Sequence, residues 1–296
     1  PDRAGPSLPP QVPIEANLPA ADGSALPVTV WEAETPGAVI LALHGYGDHG
    51  ASTFSGAAAA WAAAGITTYA PDQRGFGRGA TWGRWPGAPA LIDDAVALSR
   101  AVAVEHPDLP LIVLGHSMGG GVVLAAADPA RGDGGLAADA LILAAPAIWG
   151  GDALNPLHRA AAWTAAAVVP ERRFTGEGVV RIQASDNIEA LRALARDPLY
   201  LSPPSAREIL GLVRITDAAA AAAPRVITPS LMLLGTKDQI VPEENVRRVF
   251  ESLAGPRRVV LYSEGWHLLF RDLQAAQVWS DIAAYALSQP LPATNY

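Results

Sequence analysis

Short apolar runs recur along the chain at 28–31, 39–44, 66–70, 111–115, 141–145, 231–235 and 259–262, each bounded by turn-forming residues. Runs of this length with no polar alternation are expected of strands buried on both faces. Between them lie helix-like stretches around 55–64, 88–105, 118–128, 240–252 and 271–288. Strand and helix in alternation predict an α/β fold, a mostly parallel central sheet covered by helices on both faces.

The stretch 147–224 breaks the alternation for far longer than an ordinary crossover, and its composition is helical. It is expected to be a helical lid, or cap, inserted before the last strands, between two parts of one core at 14–146 and 225–296. Its apolar side chains, Leu154, Leu199, Ile209 and Leu212 among them, either pack on the main body or face a substrate cleft. Trp149, Leu157, Trp163 and Tyr200 are the substrate-binding candidates. Residues 1–13 carry five prolines and read as an extended leader.

Composition narrows the chemistry. A net charge of −8 disfavours nucleic acid, whose recognition needs a basic footprint. With no cysteine, thiol catalysis, disulfides and thiolate metal sites are excluded, which leaves a hydroxyl or carboxylate nucleophile. Ala-rich runs at 57–60 and 218–223 are bounded by Trp, Gly, Pro and charged residues, and no uncharged apolar stretch nears the roughly 18–20 residues of a transmembrane helix. Compartment stays open between the cytoplasm and export or lipid anchoring with an upstream signal removed.

Residues 111–121 read Leu-Ile-Val-Leu-Gly-His-Ser-Met-Gly-Gly-Gly, an apolar strand running into Gly-His-Ser-Met-Gly and then an Ala/Val-rich helix. This is the pattern of a nucleophile elbow, with Ser117 on a sharp turn and small neighbours at Gly115 and Gly119. Serine needs a base and an orienting acid. Asp238 follows the run 231–235 in Gly-Thr-Lys-Asp, and His267 follows the run 259–262 in Gly-Trp-His-Leu-Leu, so both fall at strand ends, where open α/β sheets place their sites. The order Ser, Asp, His suits this fold. Asp139, Asp217 and Asp272 are competing acids without a preceding apolar strand. His44, His49, His106, His116 and His158 precede the serine or lie in the expected lid. The loop from His44 to Gly50 follows a strand, so the Tyr46 amide, paired with that of Met118, is expected to form an oxyanion hole. His44 and His49 read as loop-shaping hydrogen-bonders, and no metal or other cofactor is called for.

These residues resemble the monoacylglycerol lipase and lysophospholipase branch of the α/β-hydrolases. The match is carried by His-Gly-Tyr-Gly-Asp-His at 44–49, Ala-Pro-Asp-Gln-Arg-Gly-Phe-Gly-Arg at 70–78, Gly-His-Ser-Met-Gly-Gly at 115–120, and the pair at 235–242 and 265–269. The resemblance implies a triad of Ser117, Asp238 and His267, oxyanion amides at Tyr46 and Met118, and a scaffold role for Asp72 and Arg74. Arg78-Gly79 departs from the family pattern, and Trp82 and Trp85 follow it, either shaping the substrate entrance or packing on the lid. The expected activity is carboxylic-ester hydrolysis through an acyl-enzyme, on a monoacylglycerol, lysophospholipid or similar small ester or lipid. The alternatives are carbon–carbon cleavage or perhydrolysis by the same triad, and a non-catalytic ligand-binding module.

Overall fold

The computed structural model describes residues 12–150, 156–174 and 182–291. Residues 1–11 of the expected leader, Leu154, and 175–181 of the long crossover lie outside the described residues. The architecture is the expected α/β one. β1 (Ile14–Pro19), β2 (Ala25–Trp31), β3 (Ala38–Leu43), β4 (Ile66–Pro71), β5 (Leu111–His116), β6 (Ala140–Ala144), β7 (Ser230–Gly235) and β8 (Arg257–Tyr262) form one sheet in the order β1-β2-β4-β3-β5-β6-β7-β8. β1 and β2 run antiparallel to their neighbours, and the pairings from β4 to β8 are parallel.

Every residue of β3, β5, β6 and β7 is buried, as runs without alternation require. Successive side chains still go to opposite faces. Val39, Leu41, Leu43, Val113, Leu141, Leu143, Met232 and Leu234 join one core with helices α2 (Ala88–Glu105) and α3 (Met118–Ala126). Ile40, Ala42, Ile112, Leu114, Ile142, Leu231 and Leu233 join the other, under α1 (Gly50–Ala63) and the C-terminal helix (Ala275–Leu287).

The crossover from β6 to β7 carries α4 (Pro156–Val168), α5 (Ile188–Arg196) and α6 (Ala206–Ala222), and α7 (Glu243–Glu251) follows β7, so the C-terminal helix is α8. A capping box between Ser205 and Glu208 starts α6. Ile215, Ala219 and Ala222 of this helix are buried in the core of α2 and α3. Contact is close: a Cβ on Gly121 of α3 would stand 2.7 Å from Ile215, and one on Gly211 would stand 2.2 Å from the Trp85 ring. Trp85 thus packs against the crossover, one of its two expected places.

β1 is the element that the continuous apolar runs do not disclose. Its sequence, Ile-Glu-Ala-Asn-Leu-Pro, is almost wholly exposed and pairs with β2 through main-chain bonds, across a turn where Gly23 takes φ +79°. α1 begins earlier than expected because His49 caps it, its ring accepting the Ser52 N–H.

The glycines at the carboxyl edge of the sheet yield a test. A Cβ at Gly119 would lie 2.2 Å from the Leu43 carbonyl oxygen, whereas one at Gly132 meets nothing within 4 Å. Gly119→Ala should destabilise the protein by about 2 kcal/mol or more, since a backbone carbonyl yields little. Gly132→Ala should stay within about 0.5 kcal/mol. Urea unfolding of the two variants measures the difference, and equal stabilities would contradict the packing described.

Candidate active site

Three strand ends converge at the carboxyl edge. After β5 the chain turns into α3 through Ser117, held at φ 53°, ψ −116°, a conformation costing a non-glycine residue about 1–3 kcal/mol. The turn is fixed by the bond from Ser117 N–H to the Ala144 carbonyl, and by the Ser117 carbonyl accepting from Gly120 and Ala147. A Cβ at Gly115 would lie 2.3 Å from the Gly119 carbonyl oxygen, so the tight turn excludes any larger residue.

The loops after β7 and β8 are drawn together by a second close approach. A Cβ on Gly235 would stand 2.3 Å from the Gly265 backbone, and the Lys237 N–H donates to the Gly265 carbonyl. Asp238 and His267 thereby meet. His267 Nδ1 lies 2.8 Å from Asp238 Oδ2, and its Nε2 lies 2.9 Å from Ser117 Oγ. With the proton on Nδ1 donated to the carboxylate, Nε2 is free to accept from the serine hydroxyl. Burial works to raise the Asp238 carboxyl, but the bond from His267 and the amides of Ile240 and Val241 on Oδ1 outweigh it and hold it below the ordinary value. Asp238 is therefore ionised at neutral pH.

The other candidate acids are engaged elsewhere. Asp139 accepts the Leu111 N–H, and Asp217 pairs with Arg159. Asp272 accepts from the Ser185 hydroxyl and from the Trp266 N–H, at 2.6 and 2.7 Å. His116 is pushed down to about 3 by burial and by the nearby His267, so it is neutral, and its Nε2–H donates to the His267 carbonyl. Burial also holds His44 below its ordinary value. Its ring spans the Gly45 carbonyl and the Gln73 N–H. His49 caps α1 and bonds Asp197, while His106 meets the Tyr69 hydroxyl. Asp72 accepts the Gly50 N–H and Arg74 pairs with Asp94, which are scaffold contacts. Among the described residues, no group of three or more His, Cys, Asp or Glu is placed to hold a metal.

Ser117 and His267 open into a cavity of about 350 Å³. Gly45, Tyr46 and Met118 lie beside the serine in its wall. Apolar side chains make most of the rest: Trp149, Leu191, Leu194 and Leu212 with Tyr200 from the crossover, and Ile240 and Leu268 from the loops of Asp238 and His267. Asp48 is the carboxylate in the wall, and it pairs with Arg271 at 2.6 Å.

The candidate residues divide here. Trp149 and Tyr200 face the cavity; Leu157 and Trp163 do not. Leu157 is 76% exposed and Trp163 55% exposed on α4, where the Arg214 guanidinium covers the Trp163 ring. α4 packs on α6, and none of its described residues lines the cavity. Leu191 and Leu194 take that place. Their three-residue spacing on α5, opposite Glu189, Arg192 and Arg196, is the signal in the sequence that marks one apolar face.

The sheet order and this hydrogen-bonded serine at its edge define an α/β-hydrolase of the serine type. The family described as "Serine aminopeptidase, S33" matches residues 34–274, and the chain belongs to it. The monoacylglycerol lipase of Mycolicibacterium smegmatis is 30% identical over 281 residues, covering 93% of this chain and 97% of that protein. The monoglyceride lipase of Mus musculus is 26% identical over 290 residues, with 92% and 90% covered. Among solved structures, the Paleococcus ferrophilus monoacylglycerol lipase superposes with a TM-score of 0.73 at 22% identity, covering 89% of this chain and 98% of that one, a likeness of fold.

Asp272 gives the site a measurable dependence on pH. Burial pushes its carboxyl up from 3.8 to about 6, against the bonds from Ser185 and Trp266. A carboxyl that holds its proton more tightly folded than unfolded adds stability that is complete below pH 3.8 and is lost as pH rises through about 6. Between pH 5 and 8 the parent should therefore lose about 1–1.5 kcal/mol relative to Asp272→Asn, which cannot ionise. Denaturant unfolding of both proteins across that range checks this, and parallel curves would refute it.

Proposed function

We propose that the protein is a carboxylic-ester hydrolase that works through an acyl-enzyme on single-chain esters such as a monoacylglycerol or lysophospholipid. The observation that carries this reading is the unbroken set of hydrogen bonds from Asp238 through His267 to Ser117, beside an apolar cavity. Ser117 Oγ attacks the ester carbonyl while His267 Nε2 takes its proton, and Asp238 steadies the imidazolium. The N–H of Met118, first residue of α3, has no intrahelical carbonyl to bind, so it is available to the oxyanion together with that of Tyr46. His267 then protonates the leaving alcohol. A water molecule, activated by the same imidazole, releases the acid and restores the serine.

The crossover 147–224 acts as a lid whose inner side is the acyl wall. An apolar wall favours an alkyl chain over a charged group, which it would strip of water. The names of the Mycolicibacterium smegmatis and mouse relatives, both lipases of monoglycerides, support that substrate class. No cofactor enters the scheme, and no described helix is long and apolar enough to cross a membrane.

A fluorophosphonate probe should label the protein, and Ser117→Ala should abolish labelling and lower kcat on p-nitrophenyl butyrate by several orders of magnitude with the fold intact. More than a few per cent of residual kcat in a pure preparation would remove Ser117 from this role. Failure to turn over any ester despite labelling would favour carbon–carbon cleavage or perhydrolysis, and absence of labelling a binding module.

Selectivity should separate from chemistry. Leu191→Trp or Leu194→Trp fills part of the cavity, so kcat/KM for dodecanoate and longer esters should fall about tenfold or more relative to acetate. Leu157→Trp, on the outer face, should leave the ratio within about twofold. A chain-length series in which Leu191→Trp scales every ester equally would show that α5 does not select the acyl chain.

A further inference from the structure

The peptide units around His267 are held from three sides. Asp272 Oδ2 accepts the Trp266 N–H at 2.7 Å, His116 donates to the His267 carbonyl at 2.9 Å, and the Ala184 carbonyl accepts the Leu268 N–H at 2.9 Å. Ala184 belongs to the crossover, and so does Ser185, whose hydroxyl donates to the other oxygen of Asp272 at 2.6 Å. Asn187 extends the seam. Its side-chain amide donates to the Arg271 carbonyl, and its oxygen caps α5 through the Ala190 N–H. The helix that carries Leu191 and Leu194 into the cavity wall is thus fastened to the loop that carries His267.

We propose that Asp272 is a positioning residue for His267, its carboxyl bridging Ser185 of the crossover to the Trp266 amide so that the acyl wall and the imidazole share one anchor. The proposal rests on the reading of His267 as the general base. Asp272 is only 3% exposed, so water has little access to replace the bridge. The charged and titratable groups acting on it are Asp186 and His267. Removing the carboxyl strands the Trp266 amide and the buried Ser185 hydroxyl, and the loop shifts to find them partners. Displacements of about 1 Å at a reacting group cost on the order of 10²-fold in rate.

The test uses p-nitrophenyl acetate, whose two-carbon acyl group makes the least demand on the acyl wall. Asp272→Ala should lower kcat about tenfold or more with KM within about twofold. Ser185→Ala, which breaks one half of the bridge, should lower kcat about threefold. Asp272→Asn should recover most of the activity, because its amide oxygen still accepts from Trp266 and its NH2 donates to Ser185. The downfield Nδ1 proton of His267 in the proton NMR spectrum is a readout that needs no turnover, and it should broaden or move in Asp272→Ala and Ser185→Ala. If the native protein hydrolyses no ester, the hydrolase reading fails, and this resonance still decides the role of Asp272. The proposal is overturned if folded Asp272→Ala or Ser185→Ala keeps kcat on acetate within twofold and leaves the resonance in place. It is equally overturned if Asp272→Asn loses as much as Asp272→Ala, since charge and not the bridge would then matter. Should Asp272→Ala fail to fold, Ser185→Ala and Asp272→Asn decide by the same criteria.

Discussion

Ser117 is held in backbone space that side chains rarely enter, and the carboxyl edge of the sheet is organised around that one turn. Its φ of 53° projects the hydroxyl outward only while β5 and α3 meet almost without separation. That closeness leaves no room for a Cβ at Gly115 or Gly119, whose neighbours are main-chain atoms at 2.3 and 2.2 Å. The strain is sustained by the pairing of β5 with β3 and β6 on either side and by the burial of every β5 residue. A strained residue persists only where its surroundings over-determine it, and here they do. The same device recurs where Gly235 meets Gly265, bringing the loops of Asp238 and His267 within reach of each other.

Electrostatics around the serine follow from burial. His44 and His116 are kept neutral, so each ring has one donor and one acceptor nitrogen. Their fixed bonds shape the loop before Tyr46 and the carbonyl of His267. Asp48 is matched by Arg271, and the carboxylate bonded to the imidazole is that of Asp238. The His116 ring, 5.3 Å from that of His267, therefore adds no positive charge beside it.

Much of this was legible in the sequence because its signals are local. The buried parallel strands are continuous apolar runs, and the elbow, Asp238 and His267 each sit next to one, so strand ends and chemistry were read together. Two features escaped for different physical reasons. β1 is an exposed edge strand stabilised by main-chain pairing, and its short alternation of Ile14, Ala16 and Leu18 with Glu15 and Asn17 is no continuous apolar run of the kind that marks the buried strands. The cavity wall was read from apolar bulk, which selects Leu157 and Trp163 as readily as Trp149 and Tyr200. Which helix of the insertion faces inward is decided by tertiary packing: α6 is buried in the core, while α4 meets α6 and leaves Trp163 exposed. The amphipathic spacing of Leu191 and Leu194 was a better guide than residue size.

The crossover therefore has two attachments of different character. α6 is fused to the main core through Ile215, Ala219 and the bare surface of Gly121, an apolar contact with no directional demand. The stretch from Ala184 to Asn187 is attached by hydrogen bonds to the loop of His267, which are directional and sensitive to small shifts. Apolar packing fixes where the insertion sits, and the polar seam fixes how its α5 wall is registered against the reacting groups. On the proposed reading, chain selection and proton transfer would draw on one piece of backbone, and a change in the wall would reach the imidazole through the seam without passing through the sheet.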